Sequence, residues 1–205
     1  MKLRLIFCSA VLCLSGLGCA TGSSQEGEAG LTAPTNSYAD LVEQWSDNDK
    51  AYEGITQSYG IGATLLTIDI LEGQTYSTAQ EYHWSADQFN SAKQKALDEA
   101  RKGAKIFLSV YTEKLAHNKL DMKNSLWNVF LDVAGKRITP KSIKKISEEK
   151  LTLMKKYPYH NTWGIPYEVT FPIDTVILTD AAKASGARLV IAGPIGGVTL
   201  RFPKK

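Results

Sequence analysis

Between residues 126 and 133 the chain runs Leu-Trp-Asn-Val-Phe-Leu-Asp-Val, a spacing that leaves little choice of structure. Successive side chains of a strand point to opposite faces. Trp127, Val129, Leu131 and Val133 therefore share one face, and Asn128 and Asp132 the other, with Leu126 and Phe130 as partial cover. A strand so patterned must give one whole face to a core. Five more stretches carry the same period of two. Thr64 to Ile70 alternates up to Gly73. Ile106 to Tyr111 is apolar on both faces, the mark of a central strand. Tyr167, Val169, Phe171 and Ile173 alternate with Glu168 and Thr170, and Pro172 sets an edge or a bend there. Leu189-Val190-Ile191 and Val198 to Phe202 flank a glycine-rich turn and read as a terminal hairpin.

Helical signals are fewer. Tyr38, Leu41, Val42, Trp45 and Tyr52 recur near helical spacing behind Ser37 and predict a helix over 38–56. Ser85 and Gln88 form a capping-box pattern ahead of Phe89, Ala92, Ala96 and Ala100, with Gly103 as the stop. Asp180 to Ser185 is short enough for a single helical turn. The lysine-rich stretch 137–157 has two readings: a helix started by Thr139-Pro140, or an edge strand through Ile138, Ile143 and Ile146 before a helix at 148–156. Thr112 to Ser125 reads as a wide loop joining two strands of a hairpin. Six strands with few helices predict a mainly β chain, an antiparallel β-sandwich with added helices; an α+β sheet with helices on one face is the alternative. A Trp in a core strand resembles the immunoglobulin-like pattern, without the cysteine pair of antibody domains.

Chemistry is sparse. Cys8, Cys13 and Cys19 all precede residue 20, so residues 37–205, read as a single β-rich domain, hold no disulfide and no thiolate ligand. Hydrophobic residues make up 43% of the chain, enough for a core without a staple. Without Lys2 and Arg4 of the leader the basic-to-acidic balance is 22 to 21, which gives no footprint for nucleic acid. His83, His117 and His160 are scattered, so no metal site is expected. There is no G-x-S-x-G elbow and no phosphate-binding glycine loop opening a helix. No catalytic residue and no cofactor follow. The loose carboxylates Asp121, Asp132, Glu168, Asp174 and Asp180 show no spacing that selects an acid–base pair. The one stretch with an argument for recognition is the aromatic loop 157–163, where Tyr157, Tyr159, His160 and Trp163 can stack on and hydrogen-bond to a glycan, a peptide or a small molecule.

The N-terminus carries the most specific signal. Lys2 and Arg4 precede an apolar run from Leu5 to Leu14, then the small residues up to Gly18-Cys19, the build of a signal peptide over 1–18. Gly16-Leu17-Gly18-Cys19 resembles the lipobox of bacterial lipoproteins. That resemblance implies that Cys19 becomes the first mature residue and carries fatty acyl chains such as palmitate. The following Ala20, where a retention signal would place Asp, implies the outer membrane of the cell envelope. Cleavage after Ala20-Thr21-Gly22 is the open alternative and would release a free exported protein. Residues 19–36, rich in Gly, Ser, Glu and Ala, read as a flexible tether. The expectation is an envelope-anchored interaction module, held to the membrane through its N-terminal lipid and meeting an envelope protein or glycan. A ligand-binding lipoprotein and an envelope hydrolase with carboxylate chemistry are the rival readings.

Overall fold

The computed structural model describes residue 31 and residues 33–204. The leader at 1–18, Cys19 and most of the tether lie outside the described residues. The first element is a short helix, α1 (Tyr38–Gln44), ended at Trp45. Strand β1 (Ser46–Glu53) follows directly, which corrects the helix expected over 38–56. Trp45 is buried and its carbonyl accepts from Leu65 N at 2.9 Å, so the chain is pinned to a sheet where the helix would have continued. Only Ser46 of β1 is fully buried. A polar edge strand of this kind leaves no apolar period to read.

A turn through Gly54, at φ +63°, leads into β2 (Thr56–Leu65). The strand expected to run on through Ile70 stops at Leu65. Thr67 caps the helix α2 (Ile68–Glu81) by accepting from Ile70 N. The alternation of 64–70 spans this join, so its last apolar residues belong to a helix face. The capping box forms as expected: Ser85 accepts from Gln88 N and Gln88 returns to Ser85 N, starting α3 (Ala86–Lys102), which ends at Gly103.

Strand β3 (Ala104–Thr112) is followed by a crossing segment with one 3-10 turn, then β4 (Asn128–Val133) and β5 (Lys136–Ile138). Strands β3 and β4 lie in different sheets, so the segment 113–127 is a crossover where a hairpin loop was expected. The lysine-rich stretch follows the second of its two readings in outline, an edge strand β6 (Ser142–Lys145) and a helix α4 (Lys150–Lys156), except that Ile138 belongs to β5 in the other sheet. Strand β7 (Ile165–Phe171) precedes α5 (Thr175–Ser185), capped by Asp174. Its β-branched Thr175, Val176, Ile177 and Thr179 are poor helix formers, which hid its length in the sequence. The hairpin β8 (Ala187–Gly193) and β9 (Gly196–Phe202) closes the fold, as its alternation required.

Two antiparallel sheets result, in the orders β1-β2-β3-β7-β6 and β5-β4-β8-β9. One contiguous core draws on both sheets and extends beneath the helices on the outer face of the first. It takes Ile106, Leu108 and Val110 from β3, Leu131 from β4, Leu189 from β8 and Phe202 from β9. Trp127 belongs to it, edge-on to Tyr59 at 6.0 Å, with its indole N–H donating to His117 O at 2.8 Å. That bond matters because an unpaired buried donor costs about 1–3 kcal/mol. Helix α3 lies over the outer face of the first sheet, packed against α2 through Tyr76 and Phe89. Five α-helices beside nine strands among the described residues make the mainly β expectation an overstatement. The alternative, α+β with antiparallel sheets, describes the molecule. The immunoglobulin-like reading misses the helices that cover one sheet.

Candidate binding site on the outer face of the first sheet

Register fixes what this outer face presents. Thr64 pairs with Ser46 and Phe107, Gly62 with Asn48 and Ser109, and Gly60 with Lys50 and Tyr111. Directly paired residues share a face. The outer face therefore runs from a Phe107 row, through a glycine–serine row, to an open row at Gly60.

The aromatic loop is laid along these rows. Tyr157, at the end of α4, stacks on Phe107 with centroids 3.6 Å apart and planes 7° from parallel. Its hydroxyl accepts from Gln74 Nε2 at 2.9 Å, and the same nitrogen donates to Tyr38 Oη at 3.1 Å. Burial pushes the Tyr38 phenol up to about 12 and drives Tyr157 higher still. Tyr159 lies on Gly62, where any Cβ would overlap its ring. Its hydroxyl sits 2.7 Å from Thr64 Oγ1, which in turn meets Ser46 Oγ at 2.6 Å.

His160 is only 2% exposed. Its Nδ1 is 2.7 Å from Ser109 Oγ, the tautomer deciding which atom donates, and its ring stands edge-on to Phe107 at 5.7 Å. Burial, and then the charge of Lys150, hold the imidazole below its ordinary pKa. Nε2 is buried without a hydrogen-bond partner. A Cβ on Gly164 would come within 2.6 Å of Ser109 Oγ, so the backbone itself closes over this pair. Ser109 and His160 therefore form a covered polar pair that fastens the loop, with the serine hydroxyl buried. Asn161 Oδ1 accepts from Trp163 N at 2.9 Å and Gly164 N at 3.0 Å. That turn lifts Trp163 into solvent, 77% exposed.

The four expected ligand-binding residues are thus parted. Tyr157 faces a cleft of about 410 Å³ under α3. Tyr159 and His160 wall a groove of about 340 Å³ over Gly60 and Gly62. Trp163 overlooks an adjoining recess of about 330 Å³, shared with Gln57, Tyr111 and Asn161. Groove and recess are continuous through those last three residues. Asn48, Lys50, Gln57 and Asn161 make the lining polar. The sequence reading missed Gly60, Gly62, Ser109, Gln57 and Tyr111. The signal for them was two glycines on one face of a strand, which is room made for something lying flat against the sheet.

One end of the fold carries exposed apolar side chains. Ten large hydrophobic side chains are exposed among the described residues, and six of them sit at this end of the fold: Tyr52, Ile55, Leu115, Met122, Leu126 and Trp163. Pairing of Tyr59 with Thr112 and of Val110 with Ile165 puts the β1–β2 turn, the crossover and the aromatic loop at the same end. Elsewhere, three of the five carboxylates left open by the sequence take structural partners. Asp132 meets Arg137 and Arg188, Glu168 meets Lys105, and Asp174 caps α5. Among the described residues no group of three His, Cys, Asp or Glu side chains is placed to hold a metal ion. No helix among them is long and apolar enough to cross a membrane.

The class is that of a two-sheet α+β chain with a polar groove on the outer face of its first sheet. No protein-family model matches the chain, and no curated protein matches it. Among solved structures it is similar to a crystal structure of a protein of unknown function from Burkholderia pseudomallei, at 10% identity over 80% of this chain and 81% of that one, with a TM-score of 0.43. A likeness that slight transfers neither fold nor function.

Proposed function

We propose that this protein is an exported, non-enzymatic interaction module, anchored in the bacterial envelope through a lipid on Cys19, that captures an envelope protein on the apolar-rimmed end of its fold. One observation supports the capture surface: the segments that carry exposed Tyr52, Ile55, Leu115 and Trp163 converge at one end of the fold, where Trp163 lines the recess that joins the groove. Scattered exposed hydrophobics are ordinary, whereas apolar side chains brought together beside polar ones are the pattern of an interaction surface. The anchor adds placement. A tethered domain meets neighbours in the same membrane at high effective concentration, so modest affinity suffices. Membrane attachment rests on the leader and Cys19, read from the sequence.

A photo-crosslinking residue placed at Ile55 or Trp163 in the producing bacterium tests this, with Ile177 as a control exposed elsewhere. A discrete adduct from positions 55 and 163 that is absent from 177 is the expected result. Identical adducts from all three, or none, would remove the capture surface from consideration. Cys19→Ala addresses the anchor separately, and wild type should enter the detergent phase while the variant does not. Trp163 beside Asn161 and Gln57 also suits a sugar ring, an aromatic platform with amide donors. An envelope glycan that perturbs Trp163 resonances would move the reading to that ligand.

A further inference from the structure

We infer that a hollow beside Arg188 and Arg201, on the outer face of the second sheet, binds a phosphate monoester. The inference is independent of the apolar end and of the anchor.

Register comes first. Arg137 pairs with Asp132, Asp132 with Arg188, and Arg188 with Arg201. Directly paired residues share a face, so one row crosses all four strands and holds three arginines and one aspartate. The sequence has only five arginines, and nineteen lysines supply the rest of its positive charge. Three of the five therefore stand in one row. All three are exposed, as is Thr199 on the same face, so this side of the sheet is open.

Charge comes second. Asp132 is shared, 3.2 Å from Arg137 Nε and 4.0 Å from Arg188 Nη2. The Arg201 guanidinium makes no ion pair among the described residues. Asp47 touches that residue only at its backbone, accepting from Arg201 N through Oδ2 and from Asn48 N through Oδ1, each at 2.9 Å. Counting Asp47 as well, three guanidiniums meet two carboxylates, and one positive charge is left over. Like charges directly opposite destabilise a sheet, so Arg188 against Arg201 is a repulsion that an anion between them removes.

Shape selects the anion. Arg188 and Arg201 line a hollow of about 570 Å³, shared with Asp132, Gly135, Gly186 and Pro203. That volume lies in the range of small-molecule sites, roughly 300–1,000 Å³. Each guanidinium presents two parallel N–H donors to a pair of oxygens, which an ammonium cannot do. A carboxylate has one such pair and one charge, enough for a single arginine. A phosphate monoester has three terminal oxygens and a charge of about −1.5 to −2, so it engages both. The same group occurs on small solutes and on phosphatidic acid, and the test separates those two sources.

The test is nuclear magnetic resonance on the nitrogen-15-labelled full chain carrying Cys19→Ala, titrated at constant ionic strength with glycerol 3-phosphate, acetate or glycerol. Glycerol 3-phosphate should shift the Nε–H signals of Arg188 and Arg201 to saturation and leave that of Arg101 in place. Acetate should bind several-fold more weakly, and glycerol should shift neither signal. Arg201→Gln should weaken the phosphate about fivefold, near the upper end of what an exposed charge contact is worth. Arg101→Gln removes the same net charge from α3, outside the row, and should change nothing. Both sites are exposed, so both variants should melt with wild type. Vesicles of phosphatidylcholine with and without phosphatidic acid form the second arm, read by co-sedimentation. Saturation by the solute with no pelleting assigns the site to a soluble ester. Pelleting that needs both phosphatidic acid and Arg201 assigns it to a headgroup. The proposal falls if neither probe engages the row, if acetate binds as tightly as the phosphate, or if Arg101→Gln weakens binding as much as Arg201→Gln.

Discussion

His160 shows how much one side chain can be asked to do. It is buried, fastened to Ser109 at one nitrogen and unpartnered at the other. Burial and Lys150 lower its folded-state pKa beneath the unfolded value of about 6.5. The unfolded chain then binds more protons than the folded one as pH falls below about 6.5, so stability is present above that pH and declines beneath it. Urea midpoints taken at pH 7.5 and 5.5 should show this loss in wild type and a smaller one in His160→Gln. Equal losses in the two proteins would assign the dependence to other groups. Gly62 is as constrained without carrying any chemistry. A side chain there must displace the Tyr159 ring, and such overpacking costs about 1–3 kcal/mol. Gly62→Val should lower the urea midpoint accordingly. Trp163→Ala, by contrast, should stay within about 0.5 kcal/mol of wild type, because an exposed ring contributes little to folding. The sequence named the aromatic loop but could not divide it. Tyr157, Tyr159 and Trp163 look alike in a string, and only the rows of Phe107, Gly62 and open solvent beneath them separate a packing ring from an exposed one.

Caps and periods decided what could be read of the elements. Helix α3 was legible from Ser85 to Gly103 because its capping box, apolar stripe and stop all agree. Helix α5 was seen only as a turn. Its N-cap, Asp174, follows a proline and precedes β-branched residues that argue for a strand. Strand β1 reads as helix in the sequence because polar edge strands carry no alternation. Both caps can be weighed directly. Ser85→Ala and Asp174→Ala should each cost about 1 kcal/mol, and the double variant should show the sum, since distant sites behave independently. Matching shifts in the thermal or urea midpoint check the pair. A null result for Asp174→Ala would mean that tertiary packing of Leu178 and Ala182 holds α5 without its cap.

For the whole molecule the decisive fact is one core drawn from both sheets. Leu131→Ala removes a fully buried side chain from it and should cost about 2–5 kcal/mol. Far-UV dichroism and tryptophan fluorescence should report the same transition, since neither sheet has a core of its own. No cysteine occurs after Cys19, so a reductant should not move that transition. The alternation of 127–133, 167–173 and 198–202 made the existence of this core legible. Which sheet each strand joins was not, because alternation says which face is buried and nothing about which neighbour supplies the pairing.

The arrangement of β9 bears on when the chain can fold. It completes the second sheet beside β8, Lys204 N reaches Gln44 O at 2.7 Å, and Arg201 N reaches Asp47 Oδ2 at 2.9 Å. The β1 edge thus waits for residues made about 150 positions later. At a synthesis rate of about 5–20 residues per second, roughly 8–30 seconds separate Asp47 of β1 from its partner Arg201 of β9. Such late closure slows folding, since long loops must be ordered before their contacts reward it. For the export proposed above, the same delay would keep the polypeptide threadable until its last strand is made.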